Sequence, residues 1–187
     1  SIEALNAELV GMSFAAEVHK AYYVPMPTDK AETLNRLSML KCLLEDEKRL
    51  LVGQNMKYDI MVLQNYGIFE NINASRLFDT MIAHFLLYPS LKHNMDDMAE
   101  ALLQYKTIHI DSLIGKGKNQ LSMRLIPNEE ITDYAAEDAD ITLQLYLKLK
   151  EQIENSNEVS KLFYDIEMPL MPVLAEMERT GVRIDTE

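Results

Sequence analysis

Cysteine is almost absent from this sequence of 187 residues: Cys42 stands alone, so no internal disulfide can staple the fold. The expected setting is a reducing cytoplasm, with Cys42 a packed helix residue rather than a nucleophile. Long apolar runs are also missing. Although 48% of the residues are hydrophobic, no stretch approaches the roughly 18 apolar residues of a membrane-spanning helix. The opening residues, Ser1-Ile2-Glu3-Ala4-Leu5-Asn6, have neither a basic start nor an apolar core, so they do not read as a secretory signal. Positive charge is the third shortage. Lys and Arg number 18 against 30 Asp and Glu, a formal charge of −12, which argues against a surface that grips long nucleic acid by neutralising phosphates. It does not exclude a nuclease that binds a few terminal nucleotides, where metal ions would offset the carboxylates of the site.

Residues 9–15 and 21–25 are apolar, closed by Pro25, and read as two short strands in a hairpin at a sheet edge. Asp29 followed by Glu32 resembles a capping box, and Leu34, Leu37, Leu40, Leu43 and Leu44 then recur at helical spacing. Residues 50–53 form a buried-strand pattern that passes directly into an amphipathic helix over 56–66. A strand at 77–78 and helices over 80–87 and 95–105 follow. The stretch 114–124, with Gly115, Gly117 and Asn119, has no periodicity and reads as loop. A long helix is expected from Pro127 and Asn128 to about Glu154, with Asn128 as its cap. After Asn155-Ser156-Asn157 another helix runs from Val159 to Arg179 and stops before Gly181. The alternation predicts a mixed α/β sheet domain over residues 1–157, followed by a helical segment over 158–187.

Two carboxylates stand out against this pattern. On the long helix Ile131, Tyr134, Ile141 and Leu145 form one stripe, and Asp138 lies on it. On the earlier helix Asn55 and Asp59 share a face with Val62, Leu63 and Tyr66. A carboxylate on an apolar face is costly unless it is paired or holds a metal. Asp59 also lies one turn into a helix that begins at a strand end, where α/β sheets place their sites. Together the two acids suit a divalent cation with oxygen ligands. The plain alternative for each is a solvated acid at the edge of its stripe.

Val52-Gly53-Gln54-Asn55-Met56-Lys57-Tyr58-Asp59 resembles the second exonuclease motif of the DnaQ-like superfamily, in the form found in family A DNA polymerases. Tyr134-Ala135-Ala136-Glu137-Asp138 resembles the third motif, its Tyr-x-x-x-Asp variant, and Phe78-Asp79-Thr80-Met81 and the segment from Gly115 to Leu121 match the same family. The resemblance implies a ribonuclease H-like mixed sheet flanked by helices, carrying a 3′–5′ proofreading exonuclease. It implies two divalent ions, Mg²⁺ or Mn²⁺ with Zn²⁺ a further option, that activate water and stabilise the leaving 3′ oxygen. Asp138 and Asp59 would hold the ions and Tyr134 would orient the attacking water. Gln54, Asn55, Tyr58, Met81 and Lys92 would meet the last nucleotides of a single-stranded 3′ end of DNA. The tail from Ile166 to Asp185 resembles the entry into a polymerase domain of the same chain. A soluble cytoplasmic monomer is the expected state.

One departure matters. The family's first motif, Asp-x-Glu on the first strand, supplies further metal-binding carboxylates, and Ser1-Ile2 resembles the residues just after it. The expectation is a fold without its first catalytic strand and a chain that is catalytically incomplete by itself. Where relatives often carry an aromatic, this chain has Ile110. The Gly115-Lys116-Gly117-Lys118 stretch lacks Walker spacing. His84, His93 and His109 with Asp96 and Asp97 fit no compact transition-metal spacing, and the 12 methionines read as core filler. Two other readings stay open: a silent structural module within a polymerase, and a free-standing RNA-processing exonuclease.

Overall fold

A computed structural model describes residues 3–117 and 120–185. Strands β1 (Gly11–Glu17) and β2 (Lys20–Pro25) form an antiparallel hairpin with Gly11 opposite Pro25. Helix α1 (Lys30–Leu44) starts at Asp29, whose carboxylate accepts from the Glu32 N–H at 2.9 Å. Strand β3 (Leu51–Gly53) lies parallel to β4 (Leu77–Asp79), with α2 (Met56–Gln64) between them in the chain. Then come α3 (Thr80–Leu87), α4 (Met95–Leu103), the short α5 (Ile110–Ile114) and the long α6 (Asn128–Glu154). Helix α7 (Asn157–Lys161) passes through a π-helical segment, Leu162–Glu167, into α8 (Met168–Thr180). The wider turn sits just ahead of Pro169 and Pro172, neither of which has an N–H to give an α-helical ladder.

One apolar core joins these elements. Phe78 of β4 is fully buried, with Tyr146 edge-on at 4.9 Å and Phe163 tilted at 4.7 Å. Leu145, Leu149 and Ile153 line the inner face of α6, and Met168 and Met171 bring α8 into the same cluster. Each such side chain contributes about 1.5–3 kcal/mol by leaving water. The segment after residue 157 is therefore packed on the same core as the sheet pairs. Buried Arg76 holds the approach to β3, its guanidinium donating to the carbonyls of Leu44 and Arg49.

The strands depart from a single sheet. Among the described residues β1 pairs with β2 and β3 with β4, in two separate two-stranded sheets. Residues of β4 are all buried, whereas those of β3 and most of β1 are only half-buried. Between the facing edges of β1 and β3 runs a cleft of about 790 Å³, lined by Ser13, Phe14 and Ala15 on one side and Leu51, Val52 and Gly53 on the other.

Smaller differences from the sequence reading have local causes. Helix α5 ends at the start of the stretch read as loop; at five residues it is too short to show a period. Lys118 and Asn119 of that stretch lie outside the described residues. Pro127, not Asn128, occupies the cap position of α6 and makes no side-chain cap bond. Cys42 is exposed on α1 rather than packed.

Candidate active site

Gly53 ends β3 where α2 begins, and a Cβ there would collide with the Met56 side chain, so only glycine lets helix and strand approach so closely. Asn55 turns the chain through a left-handed conformation, φ 59°, and makes no side-chain cap bond. The cap comes from Asp79 at the end of β4. Its carboxylate accepts from the N–H groups of Asn55 (3.3 Å) and Met56 (2.7 Å), and also from Met81 (2.8 Å) and Ile82 (3.2 Å) at the start of α3. One buried side chain thus caps two helices. Burial pushes Asp79 upward in pKa, and the four donors pull it back.

Asp59, one turn into α2, points into the cleft rather than into the core. Surrounding protein atoms, and then the charge of Asp79, push it up to about 7. The residue is nonetheless exposed through the open cleft, so water there softens the shift, and the full effect belongs to a filled cleft. Asp138 lines the same cleft from α6. Burial raises its pKa to about 7, the Tyr134 hydroxyl bonded to it pulls the other way, and Glu137 and Asp96 add to the rise. Its Oδ1 is buried without a hydrogen-bond partner. Tyr134 itself titrates well above its ordinary value, through burial first and then Asp138, so its phenol stays protonated near neutral pH.

The structure brings Asp59 and Asp138 to one cleft, with Tyr134 bonded to Asp138. Asn55 is exposed, and Tyr58 is half-buried against the cluster that contains Ala4 and Ala7. Gln54 is internally engaged: its amide donates to the His93 carbonyl at 2.9 Å and its oxygen accepts from Thr80. Met81 is half-buried at the start of α3, and Lys92 is exposed in the following loop, paired with Asp97 at 3.7 Å. Of the histidines set aside earlier, His84 and His93 bond each other at 2.8 Å and His109 bonds Asp96 at 2.8 Å. Among the described residues no group of three or more His, Cys, Asp or Glu is arranged to hold a metal. Asp79 was missed by sequence reasoning as a functional support; its position directly before a helix start was the available signal, but the second helix it caps is distant in sequence.

Comparison with known proteins gives this geometry its class. A family model described as 3′-5′ exonuclease matches residues 1–154. The chain belongs to the 3′–5′ exonuclease domain family of DNA polymerase I. DNA polymerase I of Pseudomonas aeruginosa is 41% identical over 99% of this chain, and that of Rhizobium leguminosarum is 34% identical over all of it. The chain spans about a fifth of the length of these relatives, 21% and 20%. Among solved structures, the POL domain of Pol1 from M. smegmatis, in complex with DNA primer-template and dNTP, superposes with a TM-score of 0.74, 19% identity and coverage of 99% of this chain and 28% of that one, which supports the fold. No described helix is long and apolar enough to cross a membrane.

Proposed function

We propose that this chain is the exonuclease portion of a bacterial DNA polymerase and that, with its catalytic centre complete, it removes mismatched 3′ nucleotides from DNA as 5′-monophosphates. The observation that carries this reading is the pair Asp59 and Asp138 on one cleft, with a buried oxygen of Asp138 left unspent. Such an oxygen donor set fits a hard divalent cation, Mg²⁺ or Mn²⁺. Bound there, the metal would supply an activated water and charge stabilisation at the phosphodiester. Asp59 and Asp138 would hold it. Tyr134, kept protonated, would orient the water through its hydroxyl rather than take its proton. Asn55, Tyr58, Met81 and Lys92 would meet the terminal nucleotides of a single strand, with Gln54 bracing the loop that carries Lys92.

Two carboxylates are fewer than a hard cation needs. We assign the remainder to a strand bearing Asp-x-Glu, and the cleft between β1 and β3 supports that assignment: an extended segment there would pair with both open edges and join the two small sheets into one. The segment 158–187 would lead into the polymerase region, for which Ile166, Leu170, Val173 and Met177 of the tail offer an exposed apolar stripe. A monomer in a reducing cytoplasm fits this role.

The test uses the full-length polymerase. Asp59→Ala and Asp138→Ala should each abolish excision of a mismatched 3′ end while nucleotide incorporation continues. Undiminished excision would falsify the assignment and leave a silent structural module as the reading.

A further inference from the structure

Phe85 lies one helical turn beyond Met81 on α3 and is 52% exposed. Its ring meets that of His93 with centroids 5.3 Å apart and planes at 75°. His93 is itself fixed. Its carbonyl holds Gln54, and its Nδ1 lies 2.8 Å from Nδ1 of His84, which is buried. Two ring nitrogens at that distance share a single proton. His84 Nε2 is buried without a partner, and a bare lone pair there costs less than an orphaned N–H. The shared proton therefore belongs to His84, and His93 accepts it and keeps its own N–H on Nε2. Burial, and then His93, hold His84 below its ordinary pKa, in keeping with a neutral ring. Lys92 directly precedes His93 in the chain, its side chain 79% exposed and its ammonium 3.7 Å from the carboxylate of Asp97.

An exposed ring held rigidly from behind, with a cation directly before the histidine it meets and the nucleotide site one turn away, has the chemistry of a single-strand platform: bases stack on aromatics while cations follow phosphates. We propose that Phe85 is a stacking platform for a base of single-stranded DNA upstream of the terminal nucleotide, with Lys92 serving its phosphate. The inference rests on the exonuclease reading and extends that site along α3. His84, His93 and Gln54 are positioning residues for the platform and touch no DNA.

The sequence contains no tryptophan, so Phe85→Trp introduces a sole indole where the stack would form. Oligothymidylate should quench its emission with the same midpoint as the anisotropy change of a labelled strand, and an abasic strand of equal length should bind without quenching. Phe85→Ala should weaken oligothymidylate binding about tenfold, a stacking-sized loss, with Phe85→Tyr restoring it; circular dichroism checks that each variant is folded. Unchanged emission together with full affinity of the Phe85→Ala chain overturns the platform and leaves the exonuclease reading standing. Failure of the unsubstituted chain to bind any strand overturns the platform as well, while the exonuclease reading stands or falls separately on excision by the Asp59→Ala and Asp138→Ala full-length polymerase.

Discussion

The two sides of the cleft are built on opposite plans. On the α2 side a nine-residue helix, too short to hold itself in water, is pinned by Asp79 from the neighbouring strand. On the α6 side a helix of 27 residues is held by its own buried stripe and needs no such pin. The acids divide the same way. Asp79 and Asp138 are both withdrawn from bulk water, yet Asp79 spends both oxygens on four backbone donors while Asp138 keeps one without a partner. A satisfied buried carboxylate is a piece of architecture. An unsatisfied one keeps its cost until a donor or a cation meets it, which is why Asp138, and not Asp79, carries the proposed metal role.

The sharpest test of that contrast fills the cleft. This chain alone should release no 5′-mononucleotides from single-stranded DNA in Mg²⁺, whereas the same chain joined to the proposed strand bearing Asp-x-Glu should do so, a difference on the order of 10³-fold or more for several kcal/mol of lost metal catalysis. Equal, robust release from both would place the catalytic ligands elsewhere in these 187 residues. Asp79→Ala comes next. It strips caps from two helices and should cost about 2–4 kcal/mol in urea unfolding; a loss no greater than that of Asp133→Ala, an exposed acid on α6, would mean the pin is idle.

Tyr134→Phe removes a hydroxyl and leaves the ring, so in the full-length enzyme single-turnover excision should slow by about tenfold to a hundredfold, while calorimetric Mn²⁺ titration stays unchanged. Unaltered excision would make Tyr134 a core residue only. The smallest effect is on stability against pH. Asp59 and Asp138 are both raised to about 7, so in the folded chain their protonated forms are favoured. Below the unfolded value near 4 that advantage is fully present, and it is lost as pH rises through about 7. The metal-free chain should therefore be more stable at pH 5 than at pH 8. Asp138→Asn should recover about 1–2 kcal/mol at pH 8, and Asp59→Asn less, because water in the cleft already screens it. A pH profile identical to that of the unsubstituted chain would remove burial as the cause.

Much of this was legible along the chain because the signals are local. The stripe of Ile131, Ile141 and Leu145 placed α6 and made Asp138 anomalous, and the passage from Val52-Gly53 into Met56 marked the strand-to-helix turn. What stayed hidden depends on contacts across sequence distance. Asp79 reaches Asn55 over 24 positions, and Gln54 reaches His93 over 39, so nothing in the spacing of residues around Gln54 showed that its amide is committed inside the protein. Nor does an amphipathic period distinguish a face turned to a core from one turned to a water-filled cleft, which is why Asp59 read as inward. Which strands pair, β1 with β2 and β3 with β4, was likewise hidden, because register and pairing are properties of partners, not of one strand's pattern.

The open edges of β1 and β3 also govern how the molecule behaves in company. Unpaired N–H and C=O groups on a strand edge recruit any extended backbone that comes near, including that of another copy. A charge of −12 opposes such encounters at low ionic strength, and salt screens that repulsion. Solutions of this chain should therefore scatter more light as salt is raised, and a chain whose cleft is filled by the proposed strand should stay clear.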